Sequence, residues 1–253
     1  MPVTSDQYGQ SPWAYANGLG LSNDAALPNF VIDVAPGSIL DSTGVYQLEL
    51  NSPLAVNGSI VGLNGLDQGV RLASKVYSVY LVADPVTQLP TGAILSLSAT
   101  APLLPFGYSA FKHIGYAVTD ASINFLKGHW TAGNSTSRLF MFDAPQATAI
   151  TAGAAVTSTP VALTALVPAV NNLPVWFATA ATGSAASRVL SLTPGNAVGT
   201  AVKITSQVAA VVVTSNSLVL SQLVNSAPTI NYMWSAGGGD AVAINVAGFE
   251  FRI

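Results

Sequence analysis

Apolar and polar residues alternate with a period of two in short runs along most of the chain. Tyr46, Leu48 and Leu50 alternate with Gln47 and Glu49, and Leu95 and Leu97 alternate with Ser96 and Ser98. Ile230, Tyr232 and Trp234 alternate with Asn231 and Met233, and Val242, Ile244 and Val246 follow the same rule. Such runs are the signature of strands with one buried face and one wet face. Val76 to Val82 is nearly all apolar, which predicts a strand covered on both faces. Ile114, Tyr116 and Val118 are predicted to share a face opposite His113 and Ala117. Further strands are predicted at Leu139 to Phe142, Val175 to Ala178, Val189 to Leu192, Val202 to Thr205, Val208 to Thr214 and Leu218 to Leu220. The run Phe249, Phe251 and Ile253 predicts a final strand docked in a sheet.

Turn signals separate these runs: Asn64-Gly65, Asp84-Pro85, Pro194-Gly195 and Gly237-Gly238-Gly239. Fifteen prolines and 22 glycines leave no room for long helices; short helical segments are conceivable only near Tyr108 to His113 and Ala162 to Val167. The expected fold is all-β, an antiparallel β-sandwich or jelly-roll-like body, or two packed β subdomains, with an irregular N-terminal arm. The expected organisation is an arm or cap over 1–30, a β module over 31–145 and a second β half over 146–253. The Ala-, Thr- and Pro-rich stretch Ala144 to Ala165, which has no charge, is the best boundary, or else a strand crossing between sheets.

Composition narrows the class. Charged residues are 8% of the 253 and apolar residues 50%, against roughly 25% charged in ordinary globular proteins. A spanning helix needs about 18 apolar residues in succession, and the densest run, Val208 to Val213, has six. The surface is expected to consist of serine, threonine, asparagine, glutamine and glycine. A weakly charged surface favours close association of copies. The net charge of -3 and the scattered Lys and Arg argue against a nucleic-acid partner. No cysteine is present, so thiolate chemistry and disulfides are excluded. Met1 to Trp13 has neither the basic segment nor the apolar core of a secretory signal.

No motif assembles catalytic chemistry. The two histidines, His113 and His129, lack a third ligand at a recognisable spacing, with Asp120 the nearest acid. Glu49 and Glu250 fall in charge-alternating strands. Asp24, Asp41, Asp84, Asp120 and Asp240 fall in turns, where aspartate usually bonds its own backbone. Gly107-Tyr108-Ser109 lacks the closing glycine of a nucleophile elbow. Gly58, Gly62, Gly65 and Gly69 lack the Lys-Ser/Thr and helix of a phosphate loop, and predict a sharp inter-strand connection. Trp13, Trp130, Trp176 and Trp234 are assigned to core or interface packing rather than sugar stacking. No side chain is therefore given a catalytic, cofactor-binding or metal-ligating role, and no cofactor is expected.

One region carries a more specific signal. Residues 21–50 read LSNDAALPNFVIDVAPGSILDSTGVYQLEL, residues 64–85 read NGLDQGVRLASKVYSVYLVADP, and residues 91–120 read TGAILSLSATAPLLPFGYSAFKHIGYAVTD. In order and spacing these segments resemble a module of tailed-bacteriophage virion proteins, over about residues 21 to 142. Gln68, Val70, Tyr77-Ser78 and Lys112-His113 depart from its usual pattern. The resemblance implies a non-enzymatic, β-rich virion protein, made in the host cytoplasm and leaving by lysis. A capsid decoration (cement) or head-fibre protein is the first expectation. It would partner the major capsid protein and other copies of itself as a dimer or trimer, and would engage neither nucleic acid nor membrane. A tail-fibre, receptor-binding or tail-assembly component is the alternative, and a carbohydrate-active enzyme the least favoured.

Overall fold

A computed structural model describes residues 16–86, 89–131, 137–143, 148–170, 173–195, 202–205, 212–223 and 227–252. Among them there is no helix, and the fold is all-β, built from antiparallel sheets packed on one another. The chain forms two compact units: Met1–Phe140 with Phe251–Ile253, and Met141–Glu250.

The first unit contains β1 (Ala16–Gly18), β2 (Leu21–Asn23), β3 (Val31–Val34), β4 (Gly37–Leu40), β5 (Gln47–Leu50), β6 (Leu54–Asn57), β7 (Val76–Ala83), β8 (Gly92–Ser96), β9 (Ala110–Val118), β10 (Gly128–Thr131) and most of β11 (Ser137–Phe142). They pair in the orders β1-β4-β5, β8-β7-β9 and β11-β10-β2-β3-β6. The stretch read as an arm is strand from Ala16 onward, with β2 lying between β10 and β3; residues 1–15, and Trp13 with them, lie outside the described residues. Leu48 and Leu50 are buried and Gln47 and Glu49 exposed, as their alternation requires, but Tyr46 is exposed ahead of the strand. Val76–Ala83 is buried from Tyr77 on, so it is covered on both faces.

Two expectations for β9 fail. The segment near Tyr108 to His113 is not helical: Ala110–Val118 is one strand against β7. His113 is not opposite Tyr116 either, because their rings lie 4.4 Å apart. Gly115 pairs with Val79 while His113 pairs with Tyr80, leaving Ile114 without a partner. That bulge shifts the side-chain alternation by one residue, so a strict period of two places His113 on the wrong face.

The second unit contains β12 (Thr148–Gly153), β13 (Thr159–Ala162), β14 (Leu173–Thr182), β15 (Val189–Pro194), β16 (Val202–Thr205), β17 (Val212–Leu223), β18 (Thr229–Trp234) and most of β19 (Ala241–Arg252). One sheet orders β17-β14-β19 with β12 also on β19, and the other orders β13-β18-β15-β16. The chain changes sheets between Gly153 and Thr159, so the Ala/Thr-rich stretch holds a crossing. Val175, Phe177, Val242, Ile244 and Val246 from one sheet and Leu190, Leu192, Ile230, Tyr232 and Trp234 from the other are buried. Trp234 donates its indole N–H to the Gly153 carbonyl at 3.1 Å, which satisfies its one polar atom inside the core.

Two strands expected at Val208 to Thr214 and Leu218 to Leu220 form a single one from Val212 on; residues 206–211 lie outside the described residues. The polar Thr214-Ser215-Asn216 run is no turn. A register shift between Phe177↔Leu218 and Thr179↔Ser215 absorbs the extra residue. The helical candidate at Ala162 to Val167 amounts to one turn, closed by Leu166 and Val167 N–H bonds to the Leu163 carbonyl and ended by Pro168.

Candidate functional site

Chemistry-bearing side chains meet on the wet face of the first unit. The ladders pair His129 with Ser22, Ser22 with Asp33, and Asp33 with Ala55. Directly paired residues project from the same face of a sheet, so His129, Ser22, Asp33 and Ala55 form one row across β10, β2, β3 and β6. His129 and Ser22 are exposed and Asp33 half-buried, whereas Leu21 and Val34 in the next row are buried. The row lies in an open groove of about 540 Å³ whose walls include Pro36, Pro53 and Leu54.

Local bonds hold this row in register. Asn23 donates its amide to the Pro28 carbonyl at 2.8 Å and to the Leu126 carbonyl at 3.4 Å, and its Oδ1 accepts the Gly128 N–H at 2.9 Å. One side chain thus ties the end of β2 to the residue before His129. Asp24 closes the β2–β3 turn by accepting the Ala26 and Leu27 N–H groups at 2.8 and 2.6 Å. At the other end Gly18 and Leu19 both have positive φ, 66° and 56°. Their carbonyls accept hydrogen bonds from the buried Arg138 guanidinium, at 2.6 Å for Gly18. Desolvation by burial pulls the Arg138 pKa down to about 10.

Burial raises the Asp33 carboxyl above its ordinary value, and the Asp24 charge adds to the rise. The row holds Ser, His and Asp, but in an order that does not make a nucleophilic triad. A triad needs the imidazole between hydroxyl and carboxylate. Here Ser22 is in the middle, and Asp33 is two strand spacings, about 10 Å, from His129.

The other singled-out residues take structural places. The His113 ring is enclosed by Tyr80, Tyr116 and Phe251 at 5.4, 4.4 and 5.1 Å. Burial lowers its pKa to about 4, with Lys112 and Arg138 adding to the fall against a backbone hydrogen bond at Gly115. Trp130 packs on Phe140 and Phe251 in the same cluster. Among the described residues no group of three or more His, Asp or Glu is placed to hold a metal ion.

Asp41, Asp84 and Asp120 accept N–H groups from their own turns, as expected of turn aspartates. Asp240 departs from that reading. It is buried, accepts the N–H of the distant Ser184 at 2.6 Å, and faces Arg188 at 3.7 Å. Glu49 is exposed and accepts a bond from Gln47 at 3.0 Å. The glycine-rich stretch is a tight connection laid along β8. Asn64 N–H bonds the Ala93 carbonyl, Leu95 N–H the Gly65 carbonyl, and Asp67 N–H the Leu95 carbonyl.

A second surface escaped the reading of the sequence. Residues 105–108 form a turn in which Tyr108 N–H bonds the Pro105 carbonyl at 3.1 Å and Gly107 has φ of 88°. Gly107 supplies the left-handed conformation of a type II turn, and the turn presents Phe106 wholly to solvent. Val86, Leu89 and Leu103 are exposed as well. The tip is anchored: Tyr108 donates to the Pro90 carbonyl at 2.8 Å, and Leu104 and Tyr108 pack on Tyr80, Val82 and Ile94. Its only sequence signal was Pro-Phe-Gly, which names a turn without saying what the phenyl ring meets.

Compared with models of known protein families and with curated protein sequences, the chain matches none.

Proposed function

We propose that the protein is a non-enzymatic structural component of a tailed-bacteriophage particle, a capsid-decoration or head-fibre subunit that binds the capsid lattice. The observation that carries this reading is the anchored apolar tip at Phe106. An aromatic ring fully in water, on a turn whose Gly107 lies against exposed Leu89, gains from being covered by a partner, and aromatic side chains are the usual anchors of interfaces. The sparse charge of the chain leaves little repulsion between copies, and the tailed-phage resemblance of residues 21 to 142 points the same way. Many copies on a symmetric lattice turn a modest contact into firm attachment.

Particle localisation with a copy count tests it. Copies on the head in fixed ratio to the major capsid protein are the expected result. Absence from purified particles overturns the reading. Phe106→Ser should leave the fold intact and weaken incorporation by about 2 kcal/mol, the scale of an interface hot spot.

A second reading, a tail-fibre or receptor-binding component, draws support from the polar row His129–Ser22–Asp33. A few copies at the tail would favour it.

A further inference from the structure

We propose that the groove across β10, β2 and β3 binds a neutral saccharide, with Ser22 and Asp33 engaging its hydroxyls, His129 at the end of the row, and Pro36, Pro53 and Leu54 against its apolar faces. This goes beyond the virion assignment and does not depend on where the protein sits.

The row runs across the strands, over a face whose backbone N–H and C=O groups are engaged in ladder pairing. Recognition there falls to side chains, unlike strand addition at a sheet edge, where the backbone does the binding. Among the described residues the Asp33 carboxylate has no hydrogen bond or ion pair, and the Ser22 hydroxyl has no hydrogen bond. Both therefore keep their full capacity. An ionised carboxylate accepts up to four hydrogen bonds and a hydroxyl both donates and accepts, a set suited to adjacent ring hydroxyls. Successive members of the row are about 4.8 Å apart, a spacing on the scale of a six-membered ring.

Charge sets the ligand class. The lining contains Asp33 and neither Lys nor Arg, and the charge of Asp24 acts on Asp33. Two negative charges, with neither Lys nor Arg among the described lining residues, disfavour phosphorylated, sulfated or sialylated ligands. The apolar part of the lining matches the C–H faces of a sugar ring, and a volume of about 540 Å³ lies in the range of small-molecule sites. Trp130 reaches the lining but is buried, so the described lining residues offer no open aromatic platform and the single-site affinity is modest.

The test uses the intact chain on an array of neutral and acidic glycans. NMR titration follows with maltose, cellobiose, lactose and N,N′-diacetylchitobiose, and with sialyllactose as the anionic control. At least one neutral sugar should perturb the amides of Ser22, Asp33 and His129, with sialyllactose weaker. Asp33→Ala should weaken binding by on the order of tenfold, the effect of losing a charged hydrogen-bond partner, while amides elsewhere keep their positions. Should that variant fail to fold, Ser22→Ala and Asp33→Asn, which keep strand and shape, serve in its place. The proposal is overturned if no neutral glycan binds at this face, if sialyllactose binds as well, or if the folded variants bind like the parent chain.

Discussion

In the second unit β14 alternates buried and half-buried residues over ten positions without a break, and β18 alternates buried residues with half-buried or exposed ones over six. In the first unit the longest strand, β9, has nine residues and loses its alternation at a bulge. The polar interiors differ in degree: among the described residues the second unit buries two polar side chains, Thr179 and Asp240. The first unit buries Asp41, Asp84, Thr119 and Arg138, and each bonds backbone or a neighbouring side chain. Thr119 alone accepts the Lys75 N–H at 2.9 Å and donates to the Leu72 carbonyl at 2.8 Å. Long strands satisfy most of their backbone in the ladder even where the register shifts, as it does on both sides of β14, so fewer buried polar side chains are needed there. Short strands joined by irregular connections leave backbone groups over, and buried polar side chains must satisfy them.

The largest effect is expected in the second unit. Trp234→Ala should cost about 3–5 kcal/mol by opening a cavity. Hydrogen exchange should then rise across β13, β15 and β18 while β7 to β9 stay protected. Equal loss of protection in both units would mean that they unfold as one.

The next effect belongs to the first unit and to pH. The His113 imidazole is neutral in its aromatic enclosure, with a pKa of about 4, whereas in the unfolded chain it takes up a proton near pH 6.5. Stability is full above pH 6.5, falls as pH drops below that value, and stops falling near pH 4, for a total of about 3 kcal/mol. His113→Phe keeps a ring there and should flatten the melting temperature across that window. Arg138 keeps its charge throughout the window, and burial keeps the Tyr80 and Tyr116 hydroxyls neutral, so the slope is assigned to the imidazole. Burial would raise Asp41, but hydrogen bonds from Thr43, Tyr46 and Val45 outweigh it and hold the carboxyl below its ordinary value. Its contribution is lost only at still lower pH.

The smallest effect sharpens the contrast in connections. A Cβ on Gly37 would lie 2.2 Å from the Asn17 carbonyl oxygen and 2.5 Å from the Leu19 nitrogen. Gly37→Ala therefore forces backbone apart beside the Arg138 clamp and should cost about 1–3 kcal/mol in thermal melts. An unchanged melting temperature would show that the β1–β4 pair is peripheral.

The candidate groove was legible only in pieces. Ser22, Asp33 and His129 come from three strands, and nothing in their spacing along the chain announces that they share a row. His129 read as an isolated histidine, and Ser22 as one serine among many. Asp24 and Asp41 were readable as turn residues because their bonds are local. Asp240 was not, because its partner Ser184 is 56 positions away. Arg138 looked like one scattered cation, yet it secures carbonyls 119 and 120 positions upstream.

The amino-acid sequence by itself determined the all-β class, most of the strands and the local turns, because alternation, proline and glycine act through neighbours a few residues apart. Only the tertiary structure decided which strands lie side by side, where a bulge turns His113 onto the face of Tyr116, and that a hydroxyl, a carboxylate and an imidazole line one groove. Strand pairing joins residues a hundred positions apart, and a one-residue shift in register moves every side chain to the opposite face.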